Sequence, residues 1–560
     1  MSTDLLFEHF ATLATAPDGI ARLRELILQL AVQGKLGTQN AGDEPASILL
    51  KEILKERHLS PNKKNPNVIS SEEIPFEIPR NWIFAKIGDI SQIIRGISYT
   101  KGDEVPFAKE NYAPLLRSNN INNGVNFEKL VYVPKDFIEA QKWIKIGDLI
   151  IAMSSGSANL VGKTAQIESE FKGSVGAFCG IIRPTHLILK EYLKYFFQCP
   201  YYRSTVSGFG QGIGINNLGI NNLQNILLPL APLAEQHRIV AKVDRLMALC
   251  DELEARQQQE RAGCLRLGTA SLAGLQNATH PEEFGRQWAQ VCDAFDVILD
   301  CPENVAVLRQ TILQLAVQGR LGTQNPKDEP ADKLFSRIKR EREQVIKAKP
   351  IVIRPLENPK LHTLPDHWIW VRLGDVLADI RYGTSEKSDP QFRGIPVIRI
   401  PNIGNGILNF NGMKYLQIKD EIDTHKIKNG DLLTIRSNGS RDLVGKCAVA
   451  KNIDRSIAFA SYLIRLRPIL VNSEFLALVL SSQNVRDQFF LSAKTTTGVH
   501  NINTEELART MLALPPLAEQ HRIVAKVDAL MVLCDALESR LKERAGVQGR
   551  LAGAVVKGIV

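Results

Sequence analysis

What the chain lacks narrows its class first. Its eight cysteines (Cys179, Cys199, Cys250, Cys264, Cys292, Cys301, Cys447, Cys534) are scattered through 560 residues. They form no Cys-x-x-Cys pair and no Cys/His cluster at metal-ligand spacing, which argues against a zinc site and for a reducing compartment. No window approaches the roughly 18 consecutive apolar residues of a membrane span. The first residues, Met-Ser-Thr-Asp-Leu-Leu-Phe-Glu, carry no basic segment followed by an apolar stretch. A cytoplasmic (cytosolic) protein is expected. Catalytic equipment is scarce as well. There is no Asn/Asp-Pro-Pro-aromatic tetrad of the sort that holds a flipped base for amino-methylation, and no carboxylate-lysine cluster of a nuclease.

What is present is an ordinary globular balance, 44% hydrophobic and 23% charged, with material for three or four domain-sized units. The net charge of +9 favours an anionic partner such as nucleic acid.

The chain is written twice. Residues 23–46, LRELILQLAVQGKLGTQNAGDEPA, return at 308–331 with 19 of 24 positions identical, at an offset of 285. Residues 232–254, PLAEQHRIVAKVDRLMALCDELE, return at 516–538 with 20 of 23 identical, at an offset of 284. Two stretches enclosed by these blocks share only a skeleton. Pro79-Arg80-Asn81-Trp82 with Gly88-Asp89 answers Pro365-Asp366-His367-Trp368 with Gly374-Asp375. Gly147-Asp148-Leu149 with Leu160-Val161-Gly162-Lys163 answers Gly430-Asp431-Leu432 with Leu443-Val444-Gly445-Lys446. Copied struts around divergent domains suit a molecule that presents two different readers in one geometry.

The copied blocks read as helices. Ile239, Val243, Leu246, Cys250 and Leu253, repeated as Ile523, Val527, Leu530, Cys534 and Leu537 with Leu541 added, form a heptad stripe that must be buried. Pro232 and Pro516 suit a first turn, and Glu235 and Glu519 suit a helix N-terminus. Pairing the two stripes with each other as an antiparallel coiled coil is the preferred arrangement; packing of each on its own neighbouring domain is the alternative. A stripe of about 25 residues would be about 37 Å long, close to one DNA turn. Gly34 and Gly319 stand where left-handed caps would end the helices 23–33 and 308–318. Short apolar runs such as Gly147 to Met153 and Ile395 to Ile400, broken by Gly, Asn and Asp, read as strands.

Two glycine motifs carry little. Gly156 to Gly162, followed by Lys163-Thr164, has five residues between its glycines where a phosphate loop has four, and its counterpart ends Gly445-Lys446-Cys447. A repeated strand-turn fits better. Gly208-Phe-Gly-Gln-Gly-Ile-Gly214 lacks the acidic residue and βαβ context of a dinucleotide loop. His237 and His521 repeat within a scaffold helix and suit packing or partner contact.

The PLAEQ-x-R-I-V helices, the twin ILQLAVQG[KR]LGTQN segments and the G-D-L…L-V-G-K skeleton resemble the conserved regions of type I restriction-modification specificity subunits. The resemblance covers nearly the whole chain. It implies an α+β fold, with two pseudo-two-fold-related α/β target recognition domains joined by conserved long helices. The boundaries are a helical region 1–70, a first recognition domain 71–230, a central helical region 231–356, a second recognition domain 357–514 and a C-terminal helix 515–560. It implies a non-catalytic chain that reads double-stranded DNA at a bipartite site. The chain would work with two methyltransferase subunits, and with restriction (motor) subunits in the full complex. Adenosylmethionine would sit on the methyltransferase, with no cofactor or metal in this chain. The segment 255–300, with Gln257-Gln258-Gln259 and Trp288, departs from the minimal family pattern. A free-standing DNA-modifying enzyme and a purely structural adaptor are the rival readings.

Polar clusters in the divergent domains are the candidates for DNA contact. In the first they are Arg95, Tyr99, Lys101, Arg117, Asn119, Asn120, Ser154, Ser157, Asn159, Gln211 and Asn216, with Ser155 and Asn217 beside them. In the second they are Arg381, Tyr382, Lys387, Arg399, Asn402, Arg436, Asn438, Arg441, Lys494, His500 and Asn501, with Thr496 nearby. Arginine can grip guanine at two points and Asn or Gln can grip adenine, whereas Lys and hydroxyls mostly position phosphate. Arg117 and Arg399 lie in comparable settings, LRSNNINNG and IRIPNIGNG, which suits either DNA contact or folding.

Overall fold

In the computed structural model, residues 10–56, 69–122, 124–157, 160–209, 216–345, 362–404, 406–417, 423–490 and 500–559 are described. The chain divides into two units, residues 1–259 with 543–560, and residues 260–542.

In the first unit a short helix, Phe10–Thr15, precedes helix α1 (Gly19–Val32). Gly34 follows it at φ 68°, the left-handed conformation that the cap position requires. The unit's divergent domain is built on a four-stranded antiparallel sheet. Its strands are β1 (Ser91–Arg95), β2 (Leu149–Ala152), β4 (Thr164–Gln166) and β5 (Cys179–Pro184), in the order β1-β5-β2-β4. Every residue of β2 is buried, as an unbroken apolar run in a strand covered on both faces should be. A short strand β3 (Ser154–Ser155) leaves the end of β2 and pairs with β6 (Asn216–Asn217). A separate three-stranded sheet holds Tyr112–Leu116 between Ser174–Val175 and Val131–Pro134.

The shared skeleton residues now have physical reasons. Gly147 takes φ 94° and turns the chain into β2, which sets Asp148 beneath the sheet. There the Arg183 guanidinium grips the Asp148 carboxylate at two points, 2.9 and 2.7 Å. Arg467 grips Asp431 in the same way, at 2.7 Å for both bonds. Gly162 lies at φ 76° against helix α3 (Pro200–Phe209), which follows α2 (Lys190–Gln198). The Tyr202 hydroxyl donates to the Gly162 carbonyl at 2.9 Å, and a Cβ on Gly162 would come within 2.6 Å of Val206. The Leu-Val-Gly-Lys motif is therefore a packed turn rather than a phosphate cradle. Of the other glycine motif, residues 210–214 lie outside the described residues.

Helix α4 (Leu233–Asn277) follows the first domain. Then come α5 (Pro281–Asp293) and α6 (Glu303–Val317), with Gly319 capping α6 at φ 70°. The second divergent domain repeats the sheet with β7 (Leu377–Tyr382), β8 (Leu432–Ile435), β10 (Cys447–Val449) and β11 (Leu463–Pro468), and adds Gly406–Ile407 at one edge. Its short ladder pairs β9 (Ser437–Asn438) with β12 (His500–Asn501). Helix α7 (Leu517–Ile559) closes the chain.

Both long helices exceed the length suggested by the stripe. The 45 residues of α4 span about 67 Å at the α-helical rise, not about 37 Å. The stripe stops near Leu253 because what covers the helix changes there. The first unit ends at Gln259, within the polar run Gln257–Gln259, and the rest of α4 belongs to the second unit. In the second unit, Leu272 and Leu275 are buried with Val291, Ile298 and Leu299, so residues 281–299 of the unusual segment form a cover for the tail of α4. Reciprocally, residues 543–559 of α7 belong to the first unit, where Ala552 is fully buried.

Within each unit the stripe is covered by the preceding conserved helix together with the far end of the other long helix. Leu246 and Leu253 lie against the core that buries Ala552, and Leu537 packs with Leu272 and Leu275, the opposed pairing expected from sequence. Ile239, Val243 and Cys250 share one core with Leu23, Leu26, Ile27 and Leu30 of α1. Ile523, Val527 and Cys534 share another with Ile312 and Ala316 of α6. A heptad stripe states that a cover is needed without naming it, and the apolar face of the preceding conserved helix supplies one. Ion pairs clamp the seam: Arg24 to Asp251 and Glu254 at 2.6 and 2.7 Å, and Arg309 to Asp535 and Glu538 at 2.6 and 3.2 Å.

Candidate nucleic-acid interface

In each unit three segments meet at one end of the sheet. The first is the end of the edge strand and the loop after it. Arg95 is exposed at the last position of β1, Gly96 donates to the Cys179 carbonyl at 3.0 Å and Ile97 to the Val175 carbonyl at 2.8 Å. The second is the turn Gly176–Cys179, closed by a 2.8 Å bond from Cys179 N–H to the Gly176 carbonyl. The third is the β3–β6 ladder. It is tied to that turn because Met153 and Ser154 both donate to the Phe178 carbonyl, at 2.8 and 3.1 Å.

The second unit repeats this framework: Gly383 donates to Leu463 at 3.2 Å, the turn Ala460–Leu463 closes at 2.9 Å, and Arg436 N–H donates to the Tyr462 carbonyl at 2.9 Å.

Several candidates are gathered here. In the first unit the positions next to Gly176 bring Tyr99 and Arg117 together, both within 3.8 Å of where its Cβ would stand. Burial, and then the Glu104 carboxylate bonded to it, push the Tyr99 phenol above its ordinary range, so it is a neutral donor at physiological pH. Ser154 Oγ donates to Asn217 Oδ1 at 2.7 Å across the ladder. In the second unit the Arg436 guanidinium lies on the Tyr382 ring, 4.4 Å from its centroid, and its Nε donates to Asn501 Oδ1 at 3.2 Å. Tyr382 is itself held, its hydroxyl accepting from Thr504 N–H at 3.1 Å. Asn438 pairs with His500 in the ladder, and its side chain accepts from Ser440 N–H at 2.8 Å. Arg381 is partly committed to its own domain, through Asp379 and the Thr424 carbonyl.

Two candidates turn inward. Asn120 and Asn402 are each 1% exposed. Asn120 Oδ1 accepts from Arg117 N–H, and its amide donates to the Asn126 and Glu128 carbonyls, all at 2.9 Å. Asn402 makes the matching bonds with Arg399, Asn409 and Asn411. A buried amide with both its donors spent cannot read a base, so these residues are corrected from contact to loop positioning. They hold the turns that present Arg117 and Arg399; Arg399 also donates from Nη2 to the Gly412 carbonyl at 2.9 Å.

The remaining candidates are more peripheral. Lys101, Asn119 and Lys387 are exposed on neighbouring loops, and Ser157 and Arg441 on the turns just after the short ladders. Asn159, Gln211 and Lys494 lie outside the described residues, as does Thr496, and of Asn216 only the backbone is described. Sequence reasoning missed Phe178 and Tyr462, exposed by 64% and 61% on the two matching turns. The repeat offset marks them, since 462 − 178 = 284, the spacing already set by the PLAEQ helices.

Comparison with known proteins decides the family. The model of the type I restriction modification DNA specificity domain matches residues 79–261 and again 365–545, once around each candidate interface. The chain belongs to this family. Among specificity subunits of type I restriction enzymes, that of EcoAI from Escherichia coli is 30% identical over 563 residues, covering 96% of this chain and 93% of the relative. That of EcoKI from Escherichia coli K12 is 29% identical over 469 residues, covering 83% and 85%. The crystal structure of the HsdS subunit from Thermoanaerobacter tengcongensis aligns over 87% of this chain and 98% of its own at 19% identity, with a TM-score of 0.41.

Seen as two specificity domains of one family, the units share a frame and differ in the side chains it carries. Ser154 and Asn217 recur as Ser437 and Asn501. The neighbouring positions diverge: Met153 against Arg436, Ser155 against Asn438, Asn216 against His500. No group of His, Cys, Asp and Glu suited to a metal occurs among the described residues, and none of their helices is long and apolar enough to cross a membrane.

Proposed function

We propose that each recognition domain reads one half of a bipartite DNA site, while the repeated helices dock two methyltransferase subunits that act on the bound duplex in the cytoplasm. Restriction subunits join the same frame when the complex cuts. The adenosylmethionine for methylation belongs to the partner, and this chain's part is to choose the site.

One observation carries the reading. The two domains carry the same turn-and-ladder frame, but fill it with different polar side chains, on scaffold blocks that are nearly identical. Catalysis would need the same groups in both copies or a complete set in one, whereas reading two unlike half-sites needs difference within a common frame. The near-identity of the scaffold suits one kind of partner met twice.

The test is selection of bound DNA from a random library by the chain assembled with its methyltransferase. The expected result is two short fixed blocks around an unspecified gap. Exchange of residues 71–230 for another member's first domain should change one block and leave the other. Recovery of random sequence, or methylation by the isolated chain, would overturn the proposal.

A further inference from the structure

Phe178 and Tyr462 have no role in the reading above. Scattered exposed apolar residues are normal on any protein, so exposure alone means little. Here three observations coincide. Both rings occupy the third position of a hydrogen-bonded turn, Gly176–Cys179 or Ala460–Leu463. Both stand one residue before a fully buried strand residue, Cys179 or Leu463, so the backbone beneath them is anchored. And the carbonyl of each aromatic residue accepts from the residue that enters the polar ladder, Met153 and Ser154 in one domain and Arg436 in the other. A large ring is thus held out on a fixed turn directly beside the side chains that differ between domains. Phe127 and Phe410 also match across the repeat but are less exposed, at 44% and 38%, and Phe127 already faces Phe171 at 5.2 Å.

We propose that Phe178 and Tyr462 are specificity-determining residues that contact base edges directly, one in each half-site. The inference rests on the DNA-reading function proposed above. A phenyl ring offers a base only apolar contact, such as packing on a thymine methyl group, and carries no charge for phosphate. Tyr462 adds a hydroxyl and can also bond a base edge, so the Phe/Tyr difference is itself a difference in what is read. A protein partner is the less favoured occupant: the rings lie in the divergent domains beside ladder positions that differ between them, while the surfaces suited to a repeated partner are the near-identical helices.

The experiment uses the full chain assembled with its methyltransferase, with bound-DNA selection and competition binding at fixed salt. Phe178→Ala should relax preference at one position of one half-site by about 5- to 100-fold. The other half-site, the non-specific affinity and the salt dependence should stay as in the parent, since no phosphate contact is lost. Tyr462→Ala should do the same in the opposite half. Phe178→Leu, which keeps apolar bulk, should retain part of the preference and guards against a folding defect. Preference unchanged in both alanine variants overturns the inference, as does a uniform fall across all sequences, or loss of the methyltransferase on gel filtration with selection intact. Failure of the parent complex to select a bipartite site would instead remove the function proposed above, and with it this inference.

Discussion

Trp82 and Glu235 meet across 153 residues of chain, the indole Nε1 donating to the carboxylate Oε2 at 2.8 Å. Thr38 Oγ1 takes the other oxygen at 2.9 Å, and Glu235 is 1% exposed. Trp368, Thr323 and Glu519 repeat the arrangement at the same distances. The acid therefore does more than answer a helix dipole: it joins the α1 cap, the recognition domain and α4 at one buried point. Arg238 donates to the Thr38 carbonyl at 2.8 Å and pairs with Asp43, and Arg522 donates to the Thr323 carbonyl at 2.9 Å and pairs with Asp328.

Trp82→Phe should therefore loosen the first unit by leaving a buried carboxylate oxygen without its donor, at about 1–3 kcal/mol. Hydrogen exchange in a peptide covering 233–243 should quicken by about 5- to 150-fold if it reports this opening. Trp368→Phe should act likewise on 517–527. Unchanged protection in both variants would show that the bond holds nothing in place.

Asn120→Ala separates positioning from reading. The variant strands the Asn126 and Glu128 carbonyls and should destabilise the first recognition domain by about 1–3 kcal/mol. Its effect on DNA should be a common fall across the first half-site, because a whole loop is displaced. Relaxed preference at a single base, with thermal stability intact, would return Asn120 to the list of direct contacts.

The duplicated blocks, the caps at Gly34 and Gly319 and the strands around Gly147 to Met153 and Ile395 to Ile400 were legible because each is a local pattern with a local cause. The true reach of α4 was not, because its cover changes at Gln259 and no local pattern says that a helix continues into a second core. Asn120 and Asn402 misled for a related reason. A surface-type residue in an Asn-rich loop has the same composition whether its amide points outward or stitches the loop together. Phe178 and Tyr462 were hidden because an aromatic before an apolar strand reads as core until the turn is seen.

The cysteines give a test of burial itself. Burial pushes the thiols of Cys179, Cys199 and Cys447 up to about 12, since the charged thiolate is the form it disfavours. At pH 8 only about one in ten thousand of each would be thiolate. Cys292 is exposed. Native alkylation followed by mass spectrometry should label Cys292 well before those three, and denaturation should erase the difference. Labelling of Cys179 as fast as Cys292 in the folded protein would contradict the packing of β5.

Arg436 offers the sharpest test of direct reading in the second domain. Its guanidinium is stacked on Tyr382 and fixed through Nε to Asn501, which pre-orients the planar fork suited to two-point contact with guanine. Lysine keeps the charge but loses both the stacking and the fork. Arg436→Lys should therefore cost about 1–3 kcal/mol of discrimination at one position of the second half-site and leave the first half-site unchanged. The salt dependence should barely move, because the charge is retained. Anisotropy titrations against duplexes altered one base pair at a time would read this out. A loss of equal size on every duplex would instead make Arg436 a phosphate contact, and Asn438 and His500, its neighbours in the ladder, would become the readers to test next.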